Sequence, residues 1–169
     1  MGAYDWQRMI RVRHILVVCE DTPDGDHALF AAAGFAQQMG AHLTVAAVAD
    51  VDTGLRRRCC GSGAPYLAHT EREDAAARLR RAGVLLTDQP DLQLVTVYGA
   101  RATALIEAAA TYDCDLIVVP AQRRRRLSGP WSRDDTRTLR RRATVPVLQT
   151  PSAEAHSLVR RQHSEPQSF

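Results

Sequence analysis

The chain has 169 residues, 22 basic and 19 acidic side chains, a net charge of +3 and 45% hydrophobic residues, which is core enough for one domain and not for two. No apolar run approaches the roughly 18 residues of a membrane-spanning helix, and the first nine residues carry Asp5 and Arg8 instead of an apolar signal core, so a cytoplasmic protein with no membrane role is expected. Every basic residue is arginine, and the absence of lysine excludes a phosphate-loop lysine, a Schiff-base lysine and the lysine of receiver domains.

Residues 14–19 (HILVVC) form an apolar run without polar alternation, the pattern of a strand buried on both faces. A helix is predicted next: Pro23 suits its first turn, Asp24 and Asp26 suit the positive end of its dipole, and Ala28, Ala32, Phe35, Ala36 and Met39 share one face. Gly40 ends it. Residues 41–48 read as strand two. Residues 50–64, with three arginines, Cys59, Cys60 and a Gly-Ser-Gly turn, read as a mobile loop. A second helix runs from about Pro65 to Leu86 on the stripe Ala75, Leu79, Ala82 and Leu86, and residues 92–97 are strand three. Gly99 opens a third helix, with Ala104, Leu105, Ala108 and Tyr112 as its packing stripe, and residues 116–119 (LIVV) are strand four. The last helix runs from Ser132 to about Ala143 with Ser132 and Asp135 at capping-box spacing, and residues 145–150 form strand five. Strands alternating with helices predict an α/β three-layer sandwich on a mainly parallel sheet. The expected division is an extension over residues 1–12, one domain over 13–150 and a polar, disordered tail over 151–169.

Charge is uneven along the chain. Residues 1–119 hold 11 arginines against 15 acids, whereas residues 120–145 hold nine against two. The arginines at 123–126 and 140–142 could contact phosphates without regard to sequence, with Trp131 the one stacking candidate among them, so weak nucleic-acid binding through this segment is one reading. A solvated or internally paired face is the plainer one. No catalytic group emerges: Ser62 has no strand before it and lacks the glycine of a nucleophile elbow. The six histidines show no metal-ligand spacing, and no metal site is expected. Cys19 and Cys114 belong to buried strands or their margins and read as small core residues, Cys59 and Cys60 as loop residues.

Three segments together resemble the universal stress protein family: the strand 14–19 with the acidic step Glu20-Asp21 and the helix through Ala28-Leu29; Tyr98-Gly99 through Ile106 followed by CDLIVVP at 114–120; and ATVPVL at 143–148. The resemblance covers about residues 13–150. It implies a five-stranded parallel sheet of order 3-2-1-4-5, of the adenine nucleotide alpha hydrolase-like kind, with any ligand in the crevice beyond the strands' carboxyl ends. It also implies a homodimer paired through strand five, where Val145, Val147 and Leu148 would need cover.

ATP-binding members of that family carry a loop G-x2-G-x9-G-[ST] after strand four, in which glycines let backbone amides approach phosphates. Here the first two positions fall on Ala121 and Arg124, and the third, counted back from Pro146, falls on Arg133 followed by Asp134; a one-residue gap would recruit Gly129 or Ser132 instead. The loop is therefore degenerate. The expectation is a non-catalytic, stress-responsive regulatory domain with no cofactor, acting through an unidentified protein partner, its acidic first loop neutralised by arginines across the crevice. The alternative is an ATP-binding switch, with magnesium and at most slow hydrolysis, in which arginines take the phosphates. In that case the resemblance points to Glu20, Asp21, Val48, Gly99, Ala121, Arg124, Ser132 and Arg133.

Overall fold

The first apolar run forms strand β1 (His14–Val18), in which Ile15, Leu16, Val17 and Val18 are fully buried, as a strand covered on both faces requires. The computed structural model describes residues 12–50, 64–121 and 131–154. Helix α1 (Pro23–Met39) starts on Thr22, whose hydroxyl accepts the Gly25 N–H. It ends at Gly40, where φ is 63° and the N–H closes on the carbonyls of Ala36 and Gln37. Then come β2 (His42–Ala49), α2 (Ala64–Leu85), β3 (Leu92–Tyr98), α3 (Arg101–Thr111), β4 (Leu116–Val119), α4 (Arg133–Arg142) and β5 (Val147–Gln149). Helix α4 has the full capping box, with Ser132 and Asp135 each accepting the other's backbone N–H.

All strand pairs are parallel, in the order β3-β2-β1-β4-β5, with Ile15 of β1 beside Leu43 on one side and Leu116 on the other. The sheet thus winds outward in both directions from β1 and β4, which places the topological switch between them. Alternation of side chains divides the core in two. Ile15, Val17, Leu43 and Val45 pack with α1 and α2 on one face. Leu16, Val18, Ala46 and Val48 pack with α3, α4 and Trp131 on the other.

The amino ends of the strands are tied by polar groups. Asp115 Oδ2 accepts the N–H groups of Arg13 (2.7 Å) and His14 (3.1 Å), clamping the start of β1 to the start of β4. His14 Nε2 lies 2.7 Å from Thr44 Oγ1, which donates to Gln93 at 3.1 Å, so one polar chain crosses β1, β2 and β3. Burial lowers the pKa of His14, which suits a neutral ring in that chain. These contacts leave the opposite, carboxyl edge of the sheet for a ligand.

Two local expectations are corrected. Met39, expected on the packing face of α1, is 51% exposed because it stands in the last turn beside Gly40, where the chain leaves the helix. Strand five begins at Val147 and not at Val145: Pro146 has no N–H for the ladder, though its carbonyl accepts from Ile117 at 3.0 Å. The edges of the sheet are β3, where Leu94 and Tyr98 are exposed, and β5, where Leu148 is exposed.

Candidate functional site

Beyond the carboxyl end of β1 lies Glu20, only 1% exposed although it carries a carboxyl group. Its position is fixed from below, since a Cβ on Gly25 would lie 2.3 Å from the Glu20 carbonyl oxygen. Only glycine lets the first turn of α1 pack this closely.

Two arginines from different helices converge on the buried carboxyl. Arg101 Nη1, at the first position of α3, donates to Oε1 at 3.0 Å; Arg78 Nη1, from α2, lies 3.6 Å from Oε2. Both guanidinium groups are themselves largely buried, with side chains 14% and 12% exposed. Each has a second anchor: Arg101 Nε lies 3.7 Å from Asp50 Oδ2, and Arg78 Nη2 donates to the Val48 carbonyl at 2.9 Å. Burial pushes the pKa of Glu20 up, opposed by Arg101 and then Arg78. Its Oε2 accepts no hydrogen bond among the described residues.

These groups floor a cleft of about 500 Å³ lined by Glu20, Asp21, Glu71, Asp74, Ala77, Arg78, Arg81 and Arg101. At its rim Arg81 grips Asp26 through both terminal nitrogens, with Nη2 to Oδ2 at 2.6 Å, and lies 3.6 Å from Asp21. The described lining sets four carboxylates against three guanidinium groups. Asp24, buried at the start of α1, accepts the Ala153 N–H at 2.8 Å and the Ser152 hydroxyl at 3.2 Å, holding the chain after β5 against this end of the sheet.

The pattern of strands, switch point and acid-lined crevice agrees with the comparison to known families, in which the universal stress protein family model matches residues 11–151. The chain belongs to the universal stress protein family. Among solved structures, a universal stress family protein from Burkholderia pseudomallei matches with 26% identity and a TM-score of 0.65, over 84% of this chain and 98% of that one. Universal stress protein UspA from Lactobacillus plantarum matches with 22% identity and a TM-score of 0.66, over 84% and 99%. A universal stress protein in complex with cAMP matches with 20% identity and a TM-score of 0.54, over 84% and 98%. No curated protein matches the chain in sequence.

Of the residues that the resemblance singles out, the structure brings Glu20 and Asp21 together in the cleft. Val48 sends its side chain into the core on the α3 side and offers the cleft only its carbonyl, already taken by Arg78. Gly99, with φ of 115°, donates its N–H to the Ala49 carbonyl at 3.2 Å. Ala121 is half-buried after β4; Ser132 caps α4; Arg133 faces a separate groove with Arg137 and Arg140. Arg124 and the other arginines at 123–126, like Cys59 and Cys60, lie outside the described residues. Trp131 is no stacking platform, since it is 8% exposed and its indole N–H donates to Thr136 Oγ1 at 2.8 Å.

The sequence reading missed Arg78, Arg101 and Asp50, and two signals could have found the arginines. Glu71, Asp74, Arg78 and Arg81 recur at helical spacing beside the apolar stripe of α2, so they share a face. Arg101 opens a helix, where the dipole disfavours a cation unless an acid meets it. Cys19 and Cys114 are buried, and burial pushes the thiol of Cys19 up to about 11 and that of Cys114 up to about 12, which disfavours the reactive thiolate. Among the described residues no three His, Cys, Asp or Glu side chains converge in an arrangement fit for a metal, and no helix is long and apolar enough to cross a membrane.

Proposed function

We infer that this chain is a non-catalytic regulatory domain of the universal stress protein family, acting as a cytoplasmic homodimer paired through β5. The acid at the floor of its crevice is taken up by internal ion pairs and is not kept free for ATP. The observation that carries the reading is the buried Glu20 carboxyl clasped between Arg78 and Arg101. A ligand entering there must break charge-assisted contacts already made in the absence of water, so the cleft competes with its own ligand. The loop positions that would need glycine, Ala121, Arg124 and Arg133, support the same reading.

Thermal denaturation with ATP and magnesium tests it, together with nucleotide extraction by heating the purified protein. The expected result is no shift in Tm and no released nucleotide. Stabilisation by ATP with magnesium that is lost in Arg124→Ala would overturn the reading. It would favour instead an ATP-binding switch, for which the relative in complex with cAMP and the unsatisfied Glu20 Oε2 speak. The dimer is tested by light scattering at micromolar concentration. A dimer that Leu148→Arg converts to a monomer is expected, since Leu148 is exposed on an edge strand, and a monomeric wild type would refute the pairing.

A further inference from the structure

On the α4 side of the molecule a second groove, of about 370 Å³, runs between α4 and β5 and is lined by Arg133, Thr136, Arg137, Arg140, Arg141 and Gln149. Among the described residues no carboxylate lines it. The four arginines lie at i, i+4, i+7 and i+8 of one helix, which sets them in a single stripe about 12 Å long. All four are exposed, and no ion pair among the described residues joins any of them to an acid.

Helix stability does not account for this stripe. Cations in the last turn suit the dipole, but Arg133 stands at the first position, where the dipole opposes it. Arg133 with Arg137, and Arg137 with Arg141, are like-charged pairs four residues apart, which weaken a helix. One member is also held in place: Arg140 Nη2 donates to Gln149 Oε1 at 3.3 Å, and Gln149 Nε2 donates to the Pro120 carbonyl at 3.5 Å. A set of unpaired cations that repel one another, with one of them oriented from the neighbouring strand, fits an anion with several charges in line.

We propose that this groove binds a linear chain of linked phosphates of the inorganic polyphosphate type. Planar guanidinium groups take phosphate oxygens in pairs of parallel, charge-assisted bonds, which a row of four can do along a chain. A base-bearing single strand would want an aromatic platform, and Trp131 is buried and already bonded. A duplex needs phosphate contacts spread over a broad basic face, whereas the described cations here form one stripe about 12 Å long. A bare phosphate chain is slim enough to touch the groove alone.

The test is calorimetric titration of the full chain with inorganic tripolyphosphate and with long-chain polyphosphate. If four arginines each neutralise a phosphate, the single-strand salt slope of about −2.8 predicts an affinity loss of roughly 50-fold between 50 and 200 mM salt. The double variant Arg137→Gln/Arg141→Gln, which relieves like-charge repulsion, should stay folded by circular dichroism and bind at least tenfold more weakly. A variant with the arginines at 123–126 changed to serine should bind as wild type does. No saturable binding at 50 mM salt, unchanged binding by the double variant, loss of binding in the 123–126 serine variant, or tighter binding of a DNA duplex of equal phosphate count would each overturn the proposal. ATP stabilisation through Arg124 would refute the reading of the crevice and leave this groove untouched, so the two ideas fail separately.

Discussion

The cleft at Glu20 and the groove along α4 are built from nearly the same cations and treat them in opposite ways. In the cleft three arginines meet four carboxylates, and Arg78 and Arg101 are largely buried. In the groove four exposed arginines meet no carboxylate among the described residues. The difference follows from solvation: a guanidinium taken out of water must find a counter-charge within the protein, whereas an exposed one is screened and can wait for a partner from outside. Burial therefore demands pairing, whereas exposure only permits its absence: Arg81 is exposed and still grips Asp26.

The largest expected effect lies in the cleft. Glu20→Ala leaves two buried guanidinium groups facing each other without their acid, and should lower stability by about 3–5 kcal/mol in urea denaturation. A loss under about 1 kcal/mol would mean that the bridge is not buried in solution, and the contrast would collapse. Gly25→Ala sets a methyl group against the backbone carbonyl of Glu20, and should cost about 1–3 kcal/mol, with no comparable cost at Gly34, where a Cβ meets open space.

A smaller effect concerns pH. Burial holds the Glu20 carboxyl above its ordinary value of 4.5, so the folded chain takes up this proton more readily than the unfolded chain. That contribution to stability is complete below the unfolded pKa and is lost as pH rises through the folded one. The stability of wild type minus that of Glu20→Gln should therefore fall on going from pH 4 to neutral. A difference that rises instead would mean that the two arginines outweigh burial. The smallest effect belongs to the groove: Arg137→Gln removes repulsion with Arg133 and Arg141 and should raise stability by about 0.2–0.5 kcal/mol per pair relieved, an increment that low salt enlarges.

Much of the scaffold was legible in the residues. The unbroken run 14–19, the stripe Ala75, Leu79, Ala82 and Leu86, and the spacing of Ser132 and Asp135 each lead to the element observed, because burial and capping act over a few residues. Half of the cleft was legible through the family resemblance, which points to Glu20 and Asp21 beyond the first strand, and both line it. Its other half was not: the arginine run at 123–126 stands out by density, while among the described residues it is Arg78 and Arg101 that meet Glu20. Local charge density says where cations are numerous and nothing about which of them a crossover carries into the interior.

The order of elements, the parallel sheet and the family pattern are properties of this sequence taken alone, since hydrophobic period and helix-end chemistry are short-range and leave their mark on neighbouring positions. Which charges neutralise each other was decided by the tertiary fold. Glu20 and Arg101 stand 81 positions apart and meet because the carboxyl end of β1 and the first turn of α3 open on the same edge of the sheet. Arg137 and Arg141, in a far more basic stretch, stay in water because α4 turns them away from the core that Leu139 enters. A charge's depth is set by the packing of elements distant in the chain, and depth determines whether it must be paired.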